Sequence, residues 1–558
     1  MTTDNFVKVR LPPPSAQPEF RYDLPALAAL KARPQLNIVH ELLDRAVSEK
    51  GFADRPMLRS PHLTLSYAEV QDRVNRIAQV LVDDLGLTPG QRVLLRGGNS
   101  IGMALAWLGV VKAGLIAVAT MPLLRAKELG EIIEKAQPLA ALCDASLLAD
   151  LMAAQSALMA PTALTAPFAN PVLRRIVPFN VMNGPGANQE DAGSGLAMLT
   201  ARKNGRFTAH ATAADDIALM AFTSGTTGKA KAVVHSHLDV LASCETWPRH
   251  VLKLTASDVV MGSPPLAFTF GLGGLLIFPM WAGASAYFPD APYTPEGMAR
   301  LSREAGATVC FTAPTFYRQM APFMARHPSP TVRACVSAGE VLPDATRALW
   351  KAATGIEMLD GIGATEMFHI FISSAAADVR RGAIGKVVPG YTAKVVDDAG
   401  VEVPRGTVGK LAVKGPTGCR YADDPRQANY VKDGWNYPGD AFVQDEDGYF
   451  FYQSRTDDMI ITAGYNVGGP EVEDCLLQHP AVAECGVIGQ PDAERGMIVK
   501  AFVVLRPGHV GDEATVKTLQ DHAKALLAPF KYPREIRFVS SLPRTESGKL
   551  QRFKLKSA

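Results

Sequence analysis

Thr223-Ser-Gly-Thr-Thr-Gly-Lys-Ala-Lys-Ala-Val-Val-His-Ser-His237 decides how this chain is read. An apolar run, Ile217 to Phe222, leads into it, and a second, Ala232 to Val234, follows its lysines. Two buried strands joined by a polar, glycine-containing turn are predicted. Thr223, Ser224, Thr226 and Thr227 place four hydroxyls on a loop that Gly225 and Gly228 leave free to fold back on itself. Backbone N–H groups and hydroxyls then converge, and Lys229 and Lys231 add positive charge, which is the environment a polyphosphate needs. The loop is not of the Walker A type, which requires glycine where Thr223 stands and Ser or Thr where Ala230 stands. Taken alone, the window also admits a flexible surface turn.

Composition bounds the rest. A chain of 558 residues exceeds one core, so two or more domains are expected. Hydrophobic content of 47% with 20% charged residues is ordinary for a globular protein. A net charge of +2 with no Lys/Arg run gives no argument for a nucleic-acid partner. The seven cysteines are scattered without a CxxC pair, so a reducing cytoplasm is expected, not a disulfide framework or zinc site. Met1 to Ser15 is polar and shows no apolar segment of signal-peptide type. Val259 to Pro289 is uncharged over 31 positions, yet Pro264, Pro265, Gly271, Gly273, Gly274, Pro279 and Gly283 interrupt it. A buried strand, a glycine turn and a buried pocket-lining helix fit better than a membrane span.

Residues 1–35 read as a proline-rich arm on the surface. Ser66-Tyr-Ala-Glu69 has capping-box spacing, and Val70, Val74, Ile77, Leu81 and Leu85 follow at helical intervals. Arg92–Arg96 and Leu115–Thr120 read as strands around a buried helix, Met103–Val111. Between about 155 and 212 an Ala/Pro/Gly/Asn-rich surface excursion is expected. Tyr391–Lys414 alternates in short strands, and the C-terminal part carries strands near 486–488, 501–505 and 536–539 with a helix over 512–527. The expected fold class is α/β: a large N-terminal domain of doubly wound sheets with a β-rich subdomain, and a small mobile α+β C-terminal domain. The division is set at 1–455 and 456–558, within Ser454-Arg-Thr-Asp-Asp-Met459.

Four further stretches carry chemistry-bearing residues in a fixed order: Asp360-Gly-Ile-Gly-Ala-Thr-Glu-Met367, Gly434-Trp-Asn-Tyr-Pro-Gly-Asp440, Arg455-Thr-Asp457 and Pro543-Arg-Thr-Glu-Ser-Gly-Lys-Leu-Gln-Arg552. Read singly, they are a glycine turn, a loop acid, a linker and a basic tail. Together with the threonine-rich loop, whose Ala230-Lys231-Ala232 replaces the more usual Pro-Lys-Gly, the chain resembles the adenylate-forming superfamily of acyl-CoA ligases, luciferases and adenylation domains. That resemblance implies ATP, Mg²⁺ and coenzyme A as cofactors. It implies that Thr223, Ser224, Gly225, Thr226, Thr227, Gly228 and Lys231 hold the phosphates. Gly339 and Glu340, with Asp360, Gly361, Ile362 and Gly363, would form the adenine slot. Thr365 would bond the α-phosphate, Glu366 would hold Mg²⁺, Asp440 would take the ribose, Arg455 would reach the ribose or phosphate side, and Asp457 would be the hinge. Lys549 would be the catalytic lysine. Its role has a physical basis: a carboxylate attacking a polyphosphate meets like charge, costing on the order of 4 kcal/mol at about 4 Å and a dielectric near 20, and an ammonium between the two offsets this.

The uncharged Ser263–Gly274 stretch falls where the family lines its acyl pocket, with Phe268, Phe270 and Gly271 as candidate walls. It holds no acid to pair an α-ammonium, so a small flat aromatic carboxylic acid is the expected substrate. Gly361 to Phe371 is similar to benzoate-CoA ligases, which implies His369 beside the ring. Arg455–Glu471, which contains Ala463–Pro470, and Gly415–Tyr421 look closer to 2-aminobenzoate-CoA ligases, with Gly464 and Tyr465 along the CoA channel. His235 and His237 lack a third ligand for a metal. The expectation is a cytoplasmic, AMP-forming aryl-CoA ligase, monomer or homodimer, most like one acting on 2-aminobenzoate; benzoate or hydroxybenzoate, or a carrier-protein thiol in place of free CoA, are the alternatives. A nucleotide-regulated binding protein without turnover is a further rival, opposed by Glu366 and Lys549 in register.

Overall fold

A computed structural model describes residues 4–159, 172–182, 195–224, 230–462, 465–492, 495–545 and 549–556. In the large domain a six-stranded sheet runs in the order Arg175–Phe179, Ala140–Asp144, Arg92–Arg96, Ile116–Thr120, Ile217–Ser224, Ala230–Ser236. Its neighbours are parallel except for the last pair, the antiparallel hairpin on which the phosphate loop was predicted. A nine-stranded sheet carries the parallel strands Ala334–Ser337 and Met358–Gly363 side by side. Every residue of the helix Ile101–Lys112 is buried, as expected for one that is apolar on all sides. Ser66 and Glu69 form the predicted reciprocal cap at the start of Tyr67–Gln79.

Two readings need correction. The excursion between 155 and 212 contains a strand, Arg175–Phe179, parallel to Ala140–Asp144. Five residues with an internal Pro178 carry little periodicity, and the proline is tolerated because the strand lies at the sheet edge. The N-terminal arm is also more than a surface wrap: Val7 and Leu27 are buried, and Phe20 bridges to Gly415. The uncharged 259–289 stretch forms the strand Val259–Gly262, three short helical segments and the strand Ser285–Tyr287. No helix among the described residues is long and apolar enough to cross a membrane.

The β-rich subdomain is a six-stranded sheet that includes Asp440–Gln444 and Phe450–Arg455. The chain leaves this sheet at Arg455, makes a 3-10 turn over Thr456–Asp458 and enters a separate five-stranded sheet at Ile460. That last sheet, with the helices Gly469–Leu477 and Glu513–Leu526 against it, has its own apolar cluster around Val487, Ala501 and Leu519.

Candidate active site

The site collects at the C-terminal ends of parallel strands, where backbone groups not used by the sheet point outward. Ser337 and Asp360 are paired across two such strands, so Gly339-Glu340 and Gly361-Ile362-Gly363 emerge next to each other. Asp360 is buried, and desolvation pushes its pKa up to about 7 against the pull of Arg347. Gly339 needs its φ of +89°, a conformation that side chains disfavour.

Thr365 and Glu366 lie on the 3-10 turn Thr365–Met367 that follows. The next residue, Phe368, has φ +68° and ψ −50°, and His369 donates its N–H to the Met367 carbonyl at 2.9 Å. This is a γ-turn of the strained hand, held because Phe368 and its neighbours are buried. His235, fully buried on the hairpin strand, donates from Nε2 to the Thr365 carbonyl at 2.7 Å. Asp239 stands 3.8 Å from its Nδ1 and is itself paired with Arg420. Burial works against Asp239 ionising, but Arg420 and His235 hold its pKa below the usual carboxylate value. His235 therefore orients the Thr365 turn. His237 accepts the Ile38 N–H at 3.2 Å, and burial drops its pKa to about 4, so it is a neutral structural acceptor.

Thr223 and Lys231 face each other across the hairpin. Gly225, Thr226, Thr227 and Gly228 lie outside the described residues, as does the side chain of Ser224. Lys231 Nζ donates to the Tyr421 hydroxyl at 3.3 Å and sits 5.1 Å from its ring centroid. The same hydroxyl donates to Glu366 Oε1 in a short hydrogen bond. Tyr421 is thus buried between the lysine of one motif and the carboxylate of another. Sequence reasoning quoted this tyrosine without giving it a role; no local spacing signals a contact between residues so far apart in the chain.

Asp440 is buried at the start of its strand and accepts from Arg455 Nη1 at 3.0 Å across the sheet register. Burial raises the pKa of Asp440, and Arg455 and Lys549 oppose that rise. Lys549 comes from the small domain. Its Cε lies 4.0 Å from where a Cβ on Gly339 would stand, which puts it over the Gly339-Glu340 segment. Desolvation, then Arg455, lowers the pKa of Lys549, while Glu366, Asp440 and Glu340 raise it. The tail lysine and the three acids of the large domain therefore meet in one cleft.

His369 sits in an aromatic cage, with ring centroids at 4.6 Å from Phe278, 5.3 Å from Trp247 and 5.4 Å from Phe270. Gly273 and Gly274 leave room for the His369 and Phe311 rings; a Cβ at either would come within 2.8 Å of them. Burial drops the His369 pKa to about 3, with the Phe270 backbone opposing, and neither ring nitrogen reaches good hydrogen-bond geometry. The buried Trp247 Nε1 also has no hydrogen-bond partner among the described residues. Phe268 does not join this cage: it lines a separate small cavity with Trp107, Leu219 and Leu272. Thr269 opens a short helical segment between the two phenylalanines. Gly271 is required by backbone packing, since a Cβ there would lie 2.1 Å from the Pro265 carbonyl oxygen. Tyr465 is 55% exposed and stacks on Phe530 at 4.4 Å, and Gly464 lies outside the described residues.

Residues 43–420 match the AMP-binding enzyme family, and residues 471–549 match the AMP-binding enzyme C-terminal domain. The chain belongs to the AMP-binding enzyme family. It is 36% identical to a benzoate–CoA ligase of Thauera aromatica over 95% of this chain and 97% of that protein. Against the 3-hydroxybenzoate–CoA ligase of an Aromatoleum strain it is 30% identical, covering 93% and 94%. Among solved structures, an anthranilate CoA ligase in complex with anthranoyl-AMP superposes with a TM-score of 0.85 at 32% identity, over 95% of this chain and 98% of that one. This AMP-binding chain falls in the aryl-CoA ligase branch of its family, acid–thiol ligases that use ATP, Mg²⁺ and coenzyme A.

Proposed function

We propose that this chain is a 2-aminobenzoate (anthranilate)–CoA ligase. The observation that carries the reading is His369, a neutral imidazole buried among Phe270, Phe278 and Trp247, with neither nitrogen in a good hydrogen bond among the described residues. A plain benzoate ring would leave these polar atoms unsatisfied, a cost of roughly 1–3 kcal/mol. A ring amine supplies an N–H to the unprotonated nitrogen. The likeness to a structure holding anthranoyl-AMP supports the same choice. Benzoate is the second reading, supported by the apolar character of the cage and by the 36% identity to a benzoate–CoA ligase.

In the first step a carboxylate oxygen attacks the α-phosphorus of ATP and pyrophosphate leaves. Lys231 and the loop hydroxyls hold the phosphates, and Thr365, oriented by His235, donates to the α-phosphate. Asp440 accepts from the ribose hydroxyls beside Arg455, and Ile362 gives adenine an aliphatic face. The Glu366 carboxylate fits a hard cation: Tyr421 occupies Oε1, and Oε2 makes no hydrogen bond among the described residues. Mg²⁺, when bound there, neutralises phosphate charge. The Lys549 ammonium lies between the two anionic reactants. In the second step the thiol of coenzyme A attacks the acyl carbon and AMP leaves. We place the domain boundary at 455/456, with Asp457 as the pivot that moves Lys549 away and opens a channel past Gly464 and Tyr465. The enzyme is read as cytoplasmic, and as a monomer or homodimer.

The test is a panel of benzoate, 2-aminobenzoate and hydroxybenzoates scored by CoA-dependent AMP release. 2-Aminobenzoate is expected to have the highest kcat/KM, and His369→Leu to shift the ratio toward benzoate by about tenfold. Preference for benzoate in the unmodified enzyme would refute the aminobenzoate assignment.

A further inference from the structure

Lys549 reaches the cleft only because the small domain is fastened in one orientation, and the fastening involves residues with no role assigned so far. Arg544 and Lys549 are tied together through their chain neighbours. Thr545 donates its N–H to the Lys549 carbonyl at 2.7 Å, Lys549 returns an N–H to Thr545 Oγ1 at 3.0 Å, and Arg544 pairs with Leu550. Arg544 Nη1 donates to Glu340 Oε1 at 3.1 Å, in the large domain, while Nη2 donates to Glu484 at 2.8 Å, in the small one. Glu340 is steadied from its own side by Thr315 Oγ1 at 2.7 Å. It directly follows Gly339, over which Lys549 is held.

A second contact lies on a different element. The large-domain helix Asp344–Thr354 begins with Pro343 at its N-cap position and has no capping side chain of its own. The cap comes from across the domain boundary: Asp474, on the small-domain helix Gly469–Leu477, accepts the Ala345 N–H at 3.2 Å. A carboxylate is suited to the unpaired N–H groups and positive end of that helix. Arg318 adds a longer bond, 3.4 Å, to the Leu477 carbonyl at the end of the Asp474 helix.

We infer that Arg544 and Asp474 are positioning residues, a two-point latch between the domains that holds Lys549 over the nucleotide for the first half-reaction and is released for the second. The inference rests on the two-step reading above. Both contacts are partly solvent-accessible and few atoms make them, so the closed arrangement is held without being made permanent. Because Asp474 is remote in sequence from Arg544 and Lys549, its effect on adenylation would pass through domain placement and not through the local chain around Lys549.

The experiment measures the half-reactions separately in the full-length enzyme: pyrophosphate release from ATP and the aryl acid, and thioester formation from supplied 2-aminobenzoyl-AMP or benzoyl-AMP and coenzyme A. Arg544→Ala and Asp474→Ala are each expected to slow adenylation about five- to tenfold, and to leave thioester formation within about twofold of the unmodified enzyme. Glu484→Gln, which breaks only the tie inside the small domain, should leave both close to normal. Limited proteolysis without substrates gives a readout independent of chemistry: both latch variants should be cut faster between residues 455 and 460. Equal losses in both half-reactions, or no effect of Asp474→Ala on either adenylation or cleavage, would overturn the latch. An unmodified enzyme that adenylates no aryl acid would instead overturn the ligase reading, and the proteolysis arm would still decide the latch.

Discussion

Tyr421→Phe removes one oxygen and leaves the ring packing against Tyr430 in place, so it isolates the hydroxyl that joins Lys231 to Glu366. Both bonds involve a charged partner, and each such bond contributes about 1.5–3 kcal/mol. Lys231 can find water or phosphate when the hydroxyl is gone, so only the Glu366 bond is counted as lost. Glu366 is 9% exposed and has little room to recruit solvent in its place. A loss of about 1.5–3 kcal/mol corresponds to about 10- to 150-fold in kcat/KM for MgATP. Pyrophosphate release at varied Mg²⁺ would measure it, with isothermal titration of the nucleotide as a readout independent of turnover. Higher Mg²⁺ should recover part of the loss, because the metal then supplies the order that the hydroxyl gave the carboxylate. Thioester formation from supplied aroyl-AMP should be little changed, since no polyphosphate remains. Activity within about twofold of normal at all Mg²⁺ concentrations would refute the argument that this hydroxyl positions Glu366.

Other outcomes follow from the same geometry. Lys549→Ala should slow adenylation by about a thousandfold, from the roughly 4 kcal/mol of charge repulsion it offsets, while thioester formation from aroyl-AMP persists; equal loss of both steps would contradict the division of labour. Asp457 lies in a 3-10 turn, whose φ a proline supplies, so Asp457→Pro should hold the present arrangement. Pyrophosphate release would then survive and CoA transfer fail, and unimpaired overall turnover would count against the pivot. Asp360 has its pKa raised from 3.8 to about 7 by burial. The folded state therefore favours its protonated form, and that stabilisation, full below about pH 4, is lost as pH rises through 7. Asp360→Asn should gain thermal stability over the unmodified protein between pH 5 and 8, and a difference in melting temperature that does not vary with pH would refute it.

Much of the local structure around the candidate site was legible because it rests on local spacing. The hairpin around Thr223, the turn bearing Thr365 and Glu366, the strand opening at Asp440 and the tail ending in Lys549 each declare themselves in a few consecutive residues. Short-range pattern also sufficed for the capped Tyr67–Gln79 helix and the wholly buried Ile101–Lys112 helix. It did not suffice where a residue's meaning lies in what it meets. The Arg175–Phe179 strand is a strand because a sheet edge receives it. Phe268 and Phe270, alike in sequence, separate because a helical turn begins between them. His235 could have been an isolated imidazole, and becomes an orienting donor only when the chain brings the Thr365 carbonyl to it. Sequence alone thus determined which functional groups the enzyme owns and that they lie on turns after strands, since glycine, hydroxyl and charge patterns encode backbone freedom and polarity locally. Tertiary structure alone decided which groups act together: Tyr421 with Glu366, Arg544 with Glu340, Asp474 with the helix at Ala345. Hydrogen bonds and ion pairs act over a few ångströms in space, and separation along the chain does not encode that distance.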